Sequence, residues 1–249
     1  MIIFRRWLGR LGNNIIQLEN LIKIAIFYKH QINFENNTTY HPFFNTKIIE
    51  EYFINNNNDE LLADCNHFYY PNRLKKIPSE VFNKNDEETY NLLKKAFVIK
   101  NEDINKLDEN NIVIHIRSGD VFAINPHPKY VPPPLSYYVN ILDKYKYDII
   151  IIVCEDKINP IVNELLKLYP NSIHNINSLK DDVKIILGAT NIIQSVGTFV
   201  NSLAKLSSNI KKIYSPELYK KELEKYYLIN EPWRNTETQR EIILNYKFE

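Results

Sequence analysis

Two runs of branched apolar residues constrain this 249-residue chain more than any other feature: Ile112 to Ile116, broken only by His115, and Ile149 to Val153. Successive strand residues point to opposite faces, so a strand that is apolar throughout must be covered on both sides, as in a parallel sheet flanked by helices. Segments with helical signals alternate with these runs. Asn159 followed by Pro160 is a cap and a first-turn proline, and opens an amphipathic helix through Leu168. A short strand near Ile173, a helix from Asp181 to Leu187, a strand from Ile192 to Val196 and a long helix starting at Thr198 complete the series.

This βαβα order predicts an α/β fold with a Rossmann-type parallel sheet in the C-terminal half. At the other end, Ile2 to Arg6 reads as a strand, and Ile15, Leu18, Leu21, Ile22, Ala25 and Ile26 recur at helical spacing. That makes a strand, a glycine loop and a helix. Residues 36 to 111 are less patterned, with an Asn run at 55 to 58, the aromatics HFYY and a helix from Glu87 to Phe97. The expected division is 1–105 for an N-terminal α/β half and 106–249 for the Rossmann-like half.

The chain holds 31 basic and 30 acidic residues, a net charge of +1, and so offers no broad field for nucleic acid or anionic membrane. The expected partner is a small molecule met by a few placed groups. The first residues, MIIFRRWLGRLGNN, have no apolar core long enough for a signal peptide, and no run approaches a membrane span, so the expectation is a cytoplasmic protein without a transmembrane segment. Cys65 and Cys154 lie far apart without a metal-ligand pattern and read as reduced thiols without chemistry.

There are only five glycines, and each sits in or beside a short motif: GRLGNN (Gly9, Gly12), HIRSGD (Gly119), ILGAT (Gly188) and SVGTF (Gly197). Arg117 follows a buried strand, where a guanidinium can grip a phosphate through two hydrogen bonds, or can simply be a surface cation. His115 is either a satisfied core histidine or a ligand contact. GRLGNN, between strand and helix, reads as an anion loop capped by Asn13 or Asn14, or as a tight turn. In SVGTF, Ser195, Thr198 and the amides around Gly197 either bind phosphate oxygens or only cap the helix. The segment HPKYVPPPLSYY offers Tyr130, Tyr137 and Tyr138 as sugar-stacking surfaces, or forms a rigid loop into a core helix from Leu135 to Leu142, with His127 nearby.

The order GRLGN, HIRSGD, VCED and DDVKIILGATNIIQSVGTFVNSLA resembles the fucosyltransferase superfamily that includes the α-1,2- and protein O-fucosyltransferases. The resemblance spans both ends of the chain and leaves residues 36 to 110 unaligned. It implies a GT-B-like fold of two Rossmann-type halves and transfer of fucose from GDP-fucose to a sugar or glycan hydroxyl. Residue by residue, Arg117 binds the pyrophosphate, His115 supports the nucleotide, and Gly9, Arg10, Gly12 and Asn13 close over the phosphates. Asp182 pairs with the guanine edge, and Ser195, Thr198 and Phe199 meet phosphate and base. Ser118 stands where the α-1,2 group often has a second arginine, which leaves linkage and donor sugar open.

The sequence contains no Asp-x-Asp and no clustered His and carboxylate ligands, so transfer is expected to need no metal or other cofactor, with Arg117 carrying the charge of the leaving diphosphate. Inversion by direct attack is the expected course. Asp120 is the candidate base, or else holds the arginine loop; Glu155 and Asp156 are similarly placed. The alternatives are a transferase of the same fold with another nucleotide sugar, or a binding relative without catalysis.

Overall fold

A computed structural model describes residues 1–56, 66–69, 77–83, 87–227 and 231–248. Cys65, Tyr70 and the end of the Asn run fall outside them. The chain forms two compact units, Met1–Asp103 with Asn201–Leu206, and Ile104–Val200 with Ser207–Glu249.

In the first unit, β1 (Ile2–Phe4) runs parallel to β2 (Ile32–Phe34) across α1 (Leu11–Tyr28). A parallel pair needs such a crossover, and α1 supplies it. The hairpin β3 (Tyr40–His41) and β4 (Phe44–Asn45) precedes α2 (Thr46–Tyr52), α3 (Asn66–Tyr69), α4 (Ser79–Asn83) and α5 (Glu87–Ala96). α1 buries Ile15, Leu18, Leu21, Ile22 and Ala25, as its spacing predicts. Gln17, Glu19, Asn20 and Lys23 are buried as well, which an amphipathic helix would not lead one to expect. Each has a polar partner: Asn20 Nδ2 donates to the Phe68 carbonyl at 2.6 Å, and Lys23 Nζ reaches Glu19 at 2.8 Å and the Phe82 carbonyl at 3.0 Å.

The first helix starts earlier than the apolar spacing indicated. Its cap is Arg10, through backbone alone, with the amides of Asn13 and Asn14 donating to the Arg10 carbonyl at 2.9 and 3.1 Å. Neither asparagine is the cap, and Gly12 and Asn13 lie inside the first turn.

The second unit contains β5 (Asn111–His115), α6 (Leu135–Tyr145), β6 (Ile149–Val153), α7 (Pro160–Leu168), β7 (Ser172–His174), α8 (Leu179–Gly188), β8 (Asn191–Gln194), α9 (Phe199–Ala204), β9 (Lys212–Tyr214), α10 (Lys220–Tyr227) and α11 (Glu237–Asn245). From Asn201 onward α9 clusters with the first unit. The five strands form one parallel sheet in the order β7-β6-β5-β8-β9. This is the α/β class with a C-terminal parallel sheet that the apolar runs required. Ile112, Ile114, Ile150 and Ile152 are buried, and full burial of each such side chain contributes about 1.5–3 kcal/mol. Asn159 caps α7 as its sequence indicated, accepting from the Ile161 amide at 3.1 Å. The helix after SVGTF is short, not long, with six residues. Among the described residues no helix is long and apolar enough to cross a membrane.

His41 connects fold to pH. Its Nδ1 accepts from the Phe43 amide at 3.1 Å and its Nε2 meets Asn14 Oδ1 at 3.2 Å, while Trp7 packs on the ring at 4.3 Å. Burial pushes its pKa down from 6.5 to about 4. The unfolded chain therefore takes up a proton at a pH where the folded one does not, so this contribution is intact above pH 6.5 and is lost as pH falls toward 4. A His41→Gln variant is expected to lose less melting temperature than wild type between pH 7 and 4.5; parallel curves would refute the assignment.

Candidate functional site

In an open parallel sheet, ligands sit beyond the carboxyl ends of the strands, where the strand order reverses. Here the reversal lies between β5 and β8, because β6 and β7 continue on one side of β5 while β8 and β9 lie on the other. His115 pairs with Val153 in β6 and with Gln194 in β8, so three strands end level. Arg117, Glu155, Asp156 and Ser195 consequently emerge along one edge.

Arg117 is held on several sides. Its Nε and Nη2 donate to the two oxygens of Asp120 at 3.1 and 2.7 Å, and its Cζ lies 4.0 Å from the centre of the Tyr130 ring. Burial opposes its charge, and Asp120 more than offsets this, so the guanidinium is held above its ordinary pKa and stays protonated. Its Nη1 faces Gly197: a Cβ added there would stand 2.7 Å from that nitrogen. Gly197 has φ +111°, a region L side chains rarely adopt. Gly197→Ala is thus expected both to strain the loop, by about 1 kcal/mol or more, and to displace Arg117. A melting point unchanged within error, with ligand binding unimpaired, would count against it.

Asp120 uses both oxygens on Arg117. The loop itself is fixed by Asp156, which accepts from the Ser118 hydroxyl, from the Gly119 amide at 3.1 Å and from the Ile158 amide at 2.8 Å. Asn159 Nδ2 donates to the Arg117 carbonyl at 3.1 Å, and the Asn159 amide donates to Ser118 Oγ at 3.2 Å. Ser118 is therefore an internal strut. The Trp233 indole, donating to the Val121 carbonyl at 2.6 Å, and the Trp233 amide, donating to the Pro128 carbonyl at 3.0 Å, brace the far side.

The Ser195 amide donates to the His115 carbonyl at 3.0 Å, while its buried hydroxyl has no hydrogen-bond partner among the described residues. A buried hydroxyl without a partner is uncommon and suits a ligand oxygen. The His115 ring lies 5.3 Å from that of Phe199, the first residue of α9, with Thr198 just before it.

Asp182 sits in the first turn of α8, buried, accepting from Asn177 Nδ2 at 3.2 Å. Burial pushes its carboxyl above the usual range, and Asn177 and His174 pull against that shift. Glu155 lies between this corner and the arginine loop: its carboxyl carbon would be 2.7 Å from a Cβ on Gly119, and its charge acts on Asp182. The structure thus brings His115, Arg117, Asp120, Asp182, Ser195, Thr198 and Phe199 onto the carboxyl-end edge of one sheet.

The remaining candidates lie in the first unit. Gly9 has φ +69°, and Gly9 and Arg10 are exposed just before α1. Two buried amides of α1 hold this loop: Gln17 accepts from the Leu8 amide at 2.8 Å, and Asn14 Nδ2 donates to the Leu8 carbonyl at 3.0 Å. The Gly12 carbonyl accepts from the Ser202 hydroxyl at 3.0 Å.

Three sequence alternatives resolve. Tyr137 and Tyr138 are fully buried, so they belong to the core and not to a sugar-facing lip. Tyr130 packs under Arg117, with His127 against it at 4.7 Å. Cys154, read from the sequence as a reduced thiol, is buried, which pushes its thiol up to about 12. Sequence reasoning missed Tyr130 as the platform for the arginine, and missed His174. Tyr130 was visible only as one of several tyrosines. No described group of three or more His, Cys, Asp and Glu could hold a metal ion. Two surface grooves, of about 390 Å³ at Tyr52, Glu88 and Lys95 and about 310 Å³ at Leu142, Tyr147 and Tyr169, lie away from this edge.

No family model and no curated protein matches the chain. Among solved structures, it is similar in fold to fucosyltransferases. POFUT1 in complex with GDP-fucose is 12% identical over 86% of this chain and 97% of its own, with a TM-score of 0.48. The NodZ alpha-1,6-fucosyltransferase co-crystallised with GDP is 11% identical over 83% and 92%, at 0.47. NodZ from Bradyrhizobium is 10% identical over 83% and 93%, also at 0.47.

Proposed function

We propose that the chain is an inverting, metal-independent glycosyltransferase that moves fucose from GDP-fucose to a sugar or glycan hydroxyl. The observation that supports this best is the setting of Arg117: one edge fixed by Asp120, one face on Tyr130, and Nη1 directed at Gly197. Such a guanidinium is preorganised for an anion and needs little rearrangement when charge develops.

In this reading the acceptor oxygen attacks the anomeric carbon as its proton passes to a carboxylate at the same edge, for which Glu155 is the candidate, and the bond from that carbon to the phosphate oxygen breaks. Its electron pair passes to the β-phosphate, where Arg117, the amides around Gly197 and the hydroxyls of Ser195 and Thr198 receive the charge. His115 and Phe199 flank the nucleotide, and Asp182 accepts from the guanine edge. Asp120 orients Arg117, since both its oxygens are engaged there. The assignment to GDP rests on Asp182 and on the motif resemblance, and the metal-free course on the absence of an Asp-x-Asp pair.

Calorimetric titration with GDP, UDP and ADP, each with EDTA or with Mg²⁺, tests the donor site. GDP binding that persists in EDTA is the expected result, followed by release of labelled fucose from GDP-fucose to acceptor or water. Preference for UDP would overturn the donor assignment, and a requirement for Mg²⁺ the metal-free course.

A further inference from the structure

The carboxyl end of β7 carries a histidine for which the donor site described above has no use. His174 Nε2 lies 3.1 Å from the Cys154 carbonyl. A carbonyl only accepts, so Nε2 carries a hydrogen, and in the neutral ring Nδ1 presents a lone pair. Nδ1 is buried and has no hydrogen-bond partner among the described residues. Buried polar atoms are nearly always paired, and an orphan acceptor at a strand's carboxyl end marks a place where a ligand donor is missing.

The neighbour of this orphan is also an acceptor. Asp182 is buried and within electrostatic reach of His174. Asn177 donates to one of its oxygens. Two acceptors at one corner of the sheet edge, His174 ending β7 and Asp182 opening the helix that follows it, select a ligand edge made of N–H donors and disfavour one that presents carbonyls, because unpaired lone pairs would then face each other.

We propose that His174 Nδ1 is a specificity-determining acceptor that takes a hydrogen from the exocyclic amino group of the donor's base. This rests on the GDP reading above and deepens it. A guanine edge carries three such hydrogens, one on N1 and two on the amino nitrogen. The Asp182 carboxylate takes the N1 hydrogen and one amino hydrogen, and His174 takes the other. Hypoxanthine keeps N1–H and lacks the amino group, so it satisfies Asp182 in part and leaves His174 orphaned.

The test compares GDP with IDP by calorimetry on wild type, His174→Phe and His174→Asn. Wild type is expected to prefer GDP by about tenfold or more. His174→Phe keeps a ring and loses the acceptor, and should cut the preference by about threefold or more by weakening GDP while leaving IDP nearly unchanged, the remaining preference coming from the Asp182 contact to the amino group. His174→Asn places an amide oxygen near the Nδ1 position and should retain most of the preference, which a purely structural role would not produce. Wild-type discrimination needs no variant, so a variant that fails to fold does not protect the idea. Equal affinity for GDP and IDP in wild type, or an unaltered ratio in His174→Phe, overturns the role of His174 while the donor site stands, provided that GDP binding still depends on Arg117. Failure of wild type to bind either nucleotide overturns both.

Discussion

Arg117→Ala is expected to lower kcat/KM for GDP-fucose by on the order of 10²–10³, about 2.7–4 kcal/mol of transition-state stabilisation, the size typical of removing one preorganised donor to developing charge. The effect should fall mainly on kcat. In the proposed reading binding of GDP also weakens, but the ground-state diphosphate would share its charge with amides and hydroxyls around Gly197 and Ser195, whereas the charge added as the sugar leaves would be met by a fixed cation. Arg117→Lys should rescue little. An ammonium cannot give the paired Nε and Nη2 hydrogen bonds to Asp120 and turn a third nitrogen toward Gly197, and it lacks the planar face that rests on Tyr130. The variants should fold, because the loop is fixed independently by Asp156, Asn159 and Trp233. A variant that melts like wild type and keeps activity within threefold would remove Arg117 from the reaction.

The parts of the fold that were legible in the sequence are those where one physical requirement acts alone. A strand buried on both faces must be apolar throughout, so β5 and β6 could be read from Ile112–Ile114 and Ile149–Val153, and an Asn-Pro pair outside an apolar stripe can do little but start α7. Arg117 could be placed just past β5 from sequence but not given its setting, since a cation there reads equally as a surface residue. Legibility failed where tertiary partners decide. The start of α1 is set by Gln17 and Asn14 reaching back to Leu8, so its first turn runs through Gly12 and Asn13, which local propensity assigns to a loop. β2 and β9 are three residues each and exist because a neighbour pairs with them. Tyr130 and His174 became visible only when the distance to Arg117 and the orphaned Nδ1 were known, and neither is encoded in spacing.

Glu19→Met is expected to destabilise the first unit by about 3 kcal/mol, the lower end for breaking a buried ion pair. Glu19 and Lys23 are each about 5% exposed; they pair at 2.8 Å, and Lys205 binds the other Glu19 oxygen while the Tyr90 hydroxyl donates to Glu19 at 3.2 Å. Burial alone would push the Glu19 carboxyl up; the two lysines reverse this and hold it below its ordinary value. Its contribution is therefore present above about pH 4.5 and is lost as pH falls below that. Removing the carboxylate leaves Lys23 buried beside a second cation, with the Phe82 carbonyl at 3.0 Å and the face of Tyr90 at 5.8 Å to receive it. Lys205 is a third exposed and can turn to water, which is why the lower end of the range applies. The cost should come from the stranded charge and not from the lost attraction, and the double variant Glu19→Met/Lys23→Met separates the two. Two thioethers fill similar volume without a charge, so the double variant should recover more than half of the loss in denaturant midpoint. If it is as unstable as Glu19→Met, the attraction itself holds α1, and the polar face of that helix must be read as a source of stability and not as a tolerated cost of fixing the loop at its start.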